Sequence, residues 1–451
     1  PPGERETSVR RPEDRVVVSS PSSHKTSINQ IAASVKCLLF PFGSSGDVFP
    51  FVGLALALQE RGHEATVVTN GHFRETIERT GLQFIESGTE EEFLEQTNNP
   101  DIWDPLRGFS LLIGKGVAGV LEQQWDFIER EADEQTLLIG SAFGFAPRLA
   151  QEKHGIPFVT VHLQPAAFWS VFQSPRLPNM LSGIRVPHWL KGLQYNLGER
   201  FVLDRAALPV LNPFRRKLGL PPVKRITRWW HSPECVLGLF PEWFAAPQPD
   251  WPDHVHLCEF PLWDPADQQP LSEELLMFLE DGEPPVVITP GSGNQHGKEM
   301  LREAMEACHQ LGRRTLLMTR YSHQWPSPLA SGAAAFPFAP FSKLLPRAAG
   351  IVHQGGIGTT SQAMRAGIPQ LIMPMCYDQP DNAERISRLE IGKELVPKQF
   401  RRDRIANALG PLLSSPLIDA ACRQISDRLA AETPYTRALS TIEELCQKRF
   451  C

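Results

Sequence analysis

The chain has 451 residues, of which 41% are hydrophobic, and a formal net charge of −6. This length exceeds what one core usually organises, so we expect two domains, and the apolar fraction excludes disorder for most of the chain. The charge excludes a polybasic surface for nucleic acid or anionic lipid. No apolar window is long enough to span a membrane, and the charged N-terminus lacks a secretory signal core, so a cytoplasmic enzyme is expected.

The cysteines and histidines form no metal-binding or disulfide pattern. The eight Cys residues lie far apart without a Cys-x-x-Cys pair, and the thirteen His residues show no His-x-x-x-His spacing. We therefore expect reduced thiols and infer no bound metal. Cys37 and Cys235 lie in apolar runs and are predicted to be small core residues.

The first part of the chain alternates between strand and helix patterns. Residues 1–33 are rich in Pro, Ser and charge and are predicted to be a disordered extension. Order begins with the apolar run "SVKCLLFPF", a glycine turn and a helix, and "ECVLGLF" is expected to be the last strand of this domain, residues 34–258. This alternation predicts a parallel sheet with right-handed crossovers.

A proline-dense stretch separates this domain from a second alternating segment. Residues 241–265 are predicted to be irregular, and we assign the interdomain linker to 259–283. The alternation restarts at "PPVVITPGSG", which opens a second domain over 284–430. A C-terminal helix in 431–451 could pack back on the first domain.

Four turns follow predicted strands, at 43–47, 291–297, 353–359 and 376–379. Ligands of parallel sheets bind at this edge, and glycine-rich turns that open helices suit phosphate. Each turn could also simply connect a strand to a helix.

The turn "GSGNQHG" supports a second hypothesis. Its spacing is close to the dinucleotide fingerprint, although the third glycine comes one residue late, and Arg320 ends the next strand where it would suit a 2′-phosphate. An NADP-dependent oxidoreductase therefore competes as an interpretation of this segment. It leaves "GSSGDVFP" and the later Asp-Gln pair unexplained.

The segment "HQGGIGTTSQAMRAGIPQLIMPMCYDQPDNA" is a long ordered pattern that ends near Asp378 and Gln379. It resembles the donor-binding signature of nucleotide-sugar glycosyltransferases of the glycosyltransferase family 1 type. "PFGSSGDVFPFVGLALALQERGHEATVVT" is similar to that family's sterol and bacterial branch, and "FVTVHLQPAAFWS" to the subgroup of the rhamnolipid rhamnosyltransferase. The resemblance covers residues 36 to about 440 and implies an α/β GT-B fold, in which two Rossmann-like parallel-sheet domains face each other across a cleft.

The resemblance also implies a reaction. An inverting enzyme of this kind moves a hexosyl or deoxyhexosyl group from a UDP- or dTDP-sugar to a hydroxyl acceptor. The nucleoside diphosphate sugar is a co-substrate, and no cofactor or obligatory metal is implied. The two alternatives are the NADP-dependent oxidoreductase and a non-catalytic protein that binds nucleotide sugars.

Site roles follow from the same resemblance. Asp47 matches the general base, and Asp378 and Gln379 match the donor-sugar pair. Phe338 and Gln362 match base- and ribose-binding positions, while Ser44, Ser45 and Gly46 would contact acceptor or phosphate. The diphosphate contacts would come from Ser292, His353, Gln354, Gly355, Gly356, Gly358 and Thr359.

Some of these residues also have purely structural interpretations. Asp47 could cap the following helix, Asp378 and Gln379 could cap the helix at Pro380, and Phe338 could be a core residue.

Three positions depart from the family pattern. Gln354 stands where the family has its diphosphate-binding His, with His353 one place earlier, either near the phosphate or as a buried structural residue. Ser141 replaces an Asp that orients the base in plant members, and Gln362 replaces a ribose-binding Glu. The first two departures sustain the non-catalytic alternative.

An apolar acceptor is expected to enter through the first domain. Residues 101–120 and 163–178 are rich in aromatic and aliphatic side chains and are predicted to be irregular. They suit a lipid, sterol-like or polyketide acceptor, although ordinary packing is an alternative. We expect at most peripheral membrane contact and no nucleic acid partner.

Overall fold

The computed structural model describes residues 34–182, 185–266 and 268–450. The predicted disordered extension, residues 1–33, lies outside the described residues. The two predicted α/β domains are present, and each contains a sheet in which every pairing is parallel. The predicted α/β architecture of two Rossmann-like parallel-sheet domains is therefore confirmed.

The first sheet has the order β3-β2-β1-β4-β5-β6-β7. Its strands are β1 (Lys36–Phe40), β2 (Glu64–Thr69), β3 (Gln83–Glu86), β4 (Thr136–Ser141), β5 (Phe158–His162), β6 (Cys235–Gly238) and β7 (Val255–Leu257). The helices are α1 (Ser45–Glu60), α2 (Arg74–Glu78), α3 (Glu90–Asn98), α4 (Arg107–Leu111), α5 (Ala118–Glu131), α6 (Phe145–His154), α7 (His188–Gly198), α8 (Asp204–Lys217) and α9 (Ile226–Trp229).

The second sheet has the order β10-β9-β8-β11-β12-β13. Its strands are β8 (Val286–Thr289), β9 (Thr315–Met318), β10 (Ala333–Phe336), β11 (Gly350–His353), β12 (Gln370–Ile372) and β13 (Gly392–Glu394). The helices are α10 (Glu273–Glu280), α11 (Lys298–Gln310), α12 (Phe341–Leu344), α13 (Ile357–Ala366), α14 (Gln379–Arg388), α15 (Arg402–Ser414), α16 (Pro416–Ala430) and α17 (Thr436–Phe450).

Apolar side chains cover both faces of each sheet, which is why the strands read as continuous apolar runs. In the first domain, one core packs under α1 and α17 and another under α5, α6 and α8. Cys37 and Cys235 are both buried, as predicted. A fully buried side chain such as Phe51 contributes about 1.5–3 kcal/mol to folding, so these cores hold the strand ends in fixed positions.

The proline-dense stretch contains a strand, so the prediction that all of it is irregular is wrong. Val255–Leu257 forms β7, which pairs with β6 at the edge of the first sheet. Pro252 and Pro261 flank this short strand without interrupting it. An edge strand of three residues needs hydrogen bonds on one side only, and it therefore tolerates such neighbours.

The C-terminal helix α17 contacts the first domain. Arg449 pairs with Glu234, and Glu443 pairs with Arg61 at 3.1 Å. Leu439 is buried in the same core as α1.

No single helix within the described ranges is long and apolar enough to cross a membrane. One bent pair, α15 and α16, meets the length and composition criteria together, with a 70° bend at its break.

Candidate active site

A cleft of about 610 Å³ lies between the two domains, where turns after β1, β8 and β11 meet. In each sheet the order of the strands reverses beside the first strand of that domain, between β1 and β4 and between β8 and β11. Open parallel sheets bind ligands at such switch points, beyond the carboxyl ends of the strands. The fold therefore places two ligand-binding edges against one cavity.

Most of the predicted site residues line this cleft. From the first domain these are Ser44, Ser45, Gly46 and Asp47, and from the second domain Ser292, Phe338, Gln354, Gly356, Gly358, Thr359, Gln362, Asp378 and Gln379. His353 and Gly355 do not line it.

The Asp47 carboxylate is held in the first turn of α1. Its Oδ2 atom accepts hydrogen bonds from the Ser44 N–H at 2.8 Å and from the Ser44 hydroxyl at 3.1 Å. Burial raises the pKa of Asp47, and the two Ser44 hydrogen bonds act in the opposite direction. Asp47 thus caps the helix and also lines the cleft, so the two interpretations of this residue are compatible.

Gly43 makes room for this carboxylate. Its φ is +132°, and a Cβ at this position would lie 2.7 Å from Asp47 Cγ. Any other side chain would displace the Asp47 side chain as well as strain the backbone. The glycine turn of the first domain therefore shapes the carboxylate position.

Two helix N-termini meet at the cleft. A Cβ on Gly358 of α13 would lie only 3.5 Å from Gly46 Cα of α1. In α13 the N–H of Thr360 bonds Gly356 O, which leaves the N–H groups of Ile357, Gly358 and Thr359 without helical partners. Such N–H groups, together with the positive ends of both helix dipoles, can bind an anion.

Gln354 extends this anion-binding region. Its amide lies against two glycine turns, so that a Cβ would be 2.7 Å from Gln354 Cδ at Gly291 and 2.9 Å from its Nε2 at Gly356. The amide oxygen is buried and has no hydrogen-bond partner among the described residues. This oxygen can only accept, so an anion in the cleft would be met by the amide hydrogens on Gln354 Nε2.

His353 is a buried structural residue and does not reach the cleft, in contrast to the predicted diphosphate contact. Its Nδ1 accepts from the Gly355 N–H at 3.1 Å, and its Nε2 lies 3.0 Å from Gln370 Oε1. Burial lowers the pKa of His353 to about 4, so the ring is neutral near pH 7. The structural alternative for His353 is thus the one observed.

Gly355 has a similar structural role. Its N–H is used by His353, its φ is +93°, and a Cβ would lie 2.7 Å from Ile372 Cγ2. The residue lets the chain turn from β11 to α13 without offering its N–H group to the cleft.

Asp378 and Gln379 meet the cleft at the start of α14. Asn382 Nδ2 donates to Asp378 Oδ2 at 2.6 Å, and Gln379 Oε1 accepts from the Met375 N–H at 2.8 Å. Because its oxygen is engaged, Gln379 offers the cleft mainly its amide N–H groups. Burial, and then the charge of Asp47, raise the pKa of Asp378 to about 7.

The base- and ribose-binding candidates lie on the second-domain wall. Phe338 follows β10, and the Arg320 guanidinium lies 4.8 Å from the centre of its ring. Gln362 of α13 is buried beside the cleft. A guanidinium and an aromatic ring together can stack on a planar base.

The predicted acceptor segments differ in their contribution. Residues 101–120 are mostly helical and not irregular, with a π-helical turn at Leu112–Val117, and they supply Ile102, Trp103 and Leu112 to the cleft. Residues 163–178 supply only Gln164. Phe168, in that second segment, stacks on Trp251 with the ring centres 4.7 Å apart, so its aromatic side chain serves ordinary packing.

Further cleft residues were not identified from the sequence, among them Phe42, Phe49, Phe93, Gln96, Lys115, Phe143 and Tyr377. The position of Tyr377 directly before Asp378 was a usable signal. Ser141 ends β4 outside the cleft lining, and its hydroxyl accepts the Phe143 N–H at 3.3 Å.

Comparison with known proteins assigns both domains. Residues 37–172 match the glycosyltransferase family 28 N-terminal domain, and residues 327–445 match the C-terminal domain of the erythromycin biosynthesis protein CIII-like family. The narrower resemblance to glycosyltransferase family 1 and its rhamnolipid and sterol branches stays a prediction.

One relative covers almost the whole chain. The O-mycaminosyltylonolide 6-deoxyallosyltransferase of Streptomyces fradiae is 30% identical over 433 residues, which is 92% of this chain and 98% of the relative.

Solved structures share the fold at low sequence identity. The glycotransferase of kitacinnamycin is 18% identical with a TM-score of 0.70, over 92% of this chain and 99% of its own. The spinosyn rhamnosyltransferase complexed with thymidine diphosphate is 18% identical with a TM-score of 0.64, over 90% of this chain and 100% of its own. The chain therefore belongs to the GT-B glycosyltransferases that join a family 28 N-terminal domain to an erythromycin CIII-like C-terminal domain.

Proposed function

We propose that this glycosyltransferase moves a hexosyl or deoxyhexosyl group from a UDP- or dTDP-sugar to a hydroxyl of an apolar small molecule or lipid. The observation that carries the proposal is the Asp47 carboxylate beside the cleft. Ser44 engages only its Oδ2 atom, which leaves Oδ1 to accept a proton. A hydroxyl acceptor needs such a base when it attacks the anomeric carbon.

The diphosphate would bind at the N-terminus of α13. The N–H groups of Ile357 and Gly358, the Thr359 hydroxyl and the Gln354 amide would stabilise the negative charge that develops on the leaving group. Gln354 donates a hydrogen bond without carrying a charge, so the helix N-terminus supplies most of the electrostatic stabilisation. The proposal requires neither a metal nor a further cofactor.

The sugar would lie between the two carboxylates. The Asp378 oxygens and the Gln379 amide hydrogens offer an acceptor and a donor to neighbouring sugar hydroxyls. Attack by a hydroxyl held at Asp47, on the face opposite the diphosphate, inverts the anomeric centre in one displacement. The acceptor oxygen forms the new bond to that carbon, the bond to the diphosphate breaks, and Asp47 receives the proton.

The first-domain wall favours an apolar acceptor. It includes Phe42, Phe93, Ile102, Trp103 and Phe143. Burial of aromatic and aliphatic surface would drive the binding of a polyketide-like or sterol-like ring system.

The names of similar proteins agree with a deoxyhexosyl donor. The Streptomyces fradiae relative is named for 6-deoxyallosyl transfer to O-mycaminosyltylonolide, and the spinosyn rhamnosyltransferase is complexed with thymidine diphosphate. Of the two proposed donor nucleotides, these names support dTDP.

Release of nucleoside diphosphate tests the proposal. Purified protein is incubated with UDP-glucose, dTDP-glucose or dTDP-rhamnose and a panel of hydroxylated macrolactones and sterols. Acceptor-dependent release, together with a glycosylated product of inverted configuration, is the expected result. Oxidation of NADPH without any release of nucleoside diphosphate would contradict the proposal.

A further inference from the structure

Tyr377 has an unusual backbone conformation beside the cleft. It precedes Asp378, lines the cleft and has φ = +56°, in the left-handed region that residues other than glycine rarely adopt. Such a conformation costs of order 1–3 kcal/mol and persists only where surrounding contacts hold it. The contacts that hold Tyr377 therefore indicate its role.

The Tyr377 side chain crosses from the second domain to the first. Its hydroxyl donates a hydrogen bond to the carbonyl oxygen of Ile102. Its ring also packs edge-on against Trp103, with the ring centres 6.3 Å apart. Both partners lie in the 3₁₀ turn Pro100–Trp103 and belong to the proposed acceptor wall.

Gly108 makes this cross-domain contact possible. A Cβ at Gly108 would lie 2.7 Å from the Tyr377 hydroxyl oxygen and 3.0 Å from the Ile102 carbonyl carbon. Gly108 itself is fixed because its N–H bonds Asp104 O at 2.8 Å in the first turn of α4. The hydrogen bond to Ile102 therefore requires the Tyr377 hydroxyl from the second domain and the space left by Gly108 in the first domain.

We propose that Tyr377 is a positioning residue that couples donor-sugar binding to the acceptor wall. This inference rests on the proposed function, because it takes Asp378 and Gln379 as the sugar contacts. When they hold a sugar, the loop carrying Tyr377 is fixed, and its hydroxyl holds Ile102 and Trp103 against the second domain. Donor binding thereby stabilises the position of the acceptor wall.

The consequence is a choice between two nucleophiles. In both reactions the bond from the anomeric carbon to the diphosphate breaks, and Asp47 takes one proton. With the wall in place, the new bond forms to an acceptor oxygen, whereas a displaced wall admits water and releases free sugar. Tyr377 thus favours transfer over hydrolysis.

Hydrogen exchange on the full chain tests the coupling without an identified acceptor. UDP-glucose or dTDP-glucose is added, and exchange is followed in peptides covering 100–111 and 374–388. In the unmodified protein we expect the donor to slow exchange in both peptides. In Tyr377→Phe the donor should still protect 374–388, whereas the protection of 100–111 should fall about fivefold, the factor expected for a hydrogen bond of about 1 kcal/mol.

Two further variants make the test specific. Gly108→Ala disturbs the same hydrogen bond from the first domain, so it should lower the protection of 100–111 as Tyr377→Phe does. The double variant should lower that protection no further than either single variant does. Tyr195→Phe is the matched control, because it also removes a tyrosine hydroxyl, whose bond to Ser170 O at 3.0 Å lies outside the cleft. Its exchange pattern should match that of the unmodified protein.

The outcomes separate the coupling from the proposed function. If 374–388 is protected and 100–111 is not, or if Tyr377→Phe keeps both protections, the coupling is overturned while the donor site stands. If neither peptide is protected by either donor, the donor site and the coupling both fail. Donor hydrolysis measured in parallel should rise about fivefold in Tyr377→Phe relative to Tyr195→Phe.

Discussion

Burial, and then the Asp47 carboxylate on the first domain, raise the pKa of the Asp378 carboxyl on the second domain, although the two residues are far apart in sequence. Both line one cleft, where they are partly buried. Two like charges in such a site are costly, which favours a proton on Asp378 up to about pH 7. A sugar hydroxyl that donates to Asp378 would stabilise its ionised form.

Asp47→Asn should abolish most of the transfer while leaving donor binding intact. The amide keeps the size of the side chain but cannot accept the acceptor proton, and a general base typically contributes about 10²–10⁴-fold to the rate. Steady-state rates and the dissociation constant of UDP or dTDP are to be measured together. Asp419→Asn, an exposed pair with Arg423, is the control. A variant with full activity would remove Asp47 from the mechanism.

Ser44→Ala should move the acid limb of the pH–rate profile to higher pH. The Ser44 hydroxyl stabilises the ionised form of Asp47 and lowers its pKa, so loss of the hydroxyl raises that pKa further. Because the base must be ionised, activity at pH 6 should fall more than activity at pH 9. An equal loss at every pH would mean that Ser44 acts only by supporting α1.

Asp378→Asn should stabilise the ligand-free protein at alkaline pH. The folded-state pKa of Asp378, about 7, lies above its ordinary value of 3.8, so its contribution to stability is full below 3.8 and is lost as the pH rises to about 7. The asparagine avoids this loss. At pH 8 we expect a gain on the order of 1–2 kcal/mol, less than the full shift because some solvent reaches the side chain.

Urea unfolding at pH 5 and pH 8 measures this effect, and the gain at pH 5 should be smaller. Donor turnover should be lost in the same variant. A gain that does not depend on pH would refute the assigned protonation of Asp378.

His231→Phe should reduce acid lability. Burial lowers the pKa of His231 to about 4, and the ring centre lies 4.9 Å from that of His162, whose pKa burial also lowers. The unfolded chain therefore binds more protons than the folded protein between pH 6.5 and 4, and stability falls as the pH drops through that window. The phenylalanine should reduce the pH dependence of the unfolding free energy in this window by up to about 1.4 kcal/mol per pH unit.

Unfolding midpoints measured between pH 7 and 4.5 test this prediction. His309→Phe is the control, because His309 is exposed. His72 is unsuitable for this purpose because it pairs with Glu90. An unchanged slope in His231→Phe would contradict the assignment.

The strand and turn pattern could be predicted because buried parallel strands are continuous apolar runs. Val286–Thr289 and Gly350–His353 are buried along their whole length, and glycine turns follow both. The helical stretch that begins with α4 at Arg107 was missed because Gly114 and Gly116 are poor helix formers. There, tertiary packing of Ile113 and Val117, both buried, outweighs local propensity.

Contacts made across the fold set the remaining site features. His353 reads as a phosphate ligand by its position, yet Gln370 on the neighbouring strand takes its Nε2. Tyr377 reaches Ile102 only because Gly108 leaves space on the other domain. Such pairings join residues far apart in the chain, and no local pattern encodes them.

Thermal unfolding of the full chain with UDP, dTDP, GDP or NADP⁺ tests the central claim most directly. A ligand at about a hundred times its dissociation constant adds about 2.7 kcal/mol to stability. We expect UDP or dTDP to raise the unfolding temperature, and Gln354→Ala to reduce that shift. Stabilisation by NADP⁺ alone, with no response to any nucleoside diphosphate, would contradict the nucleotide-sugar site described above.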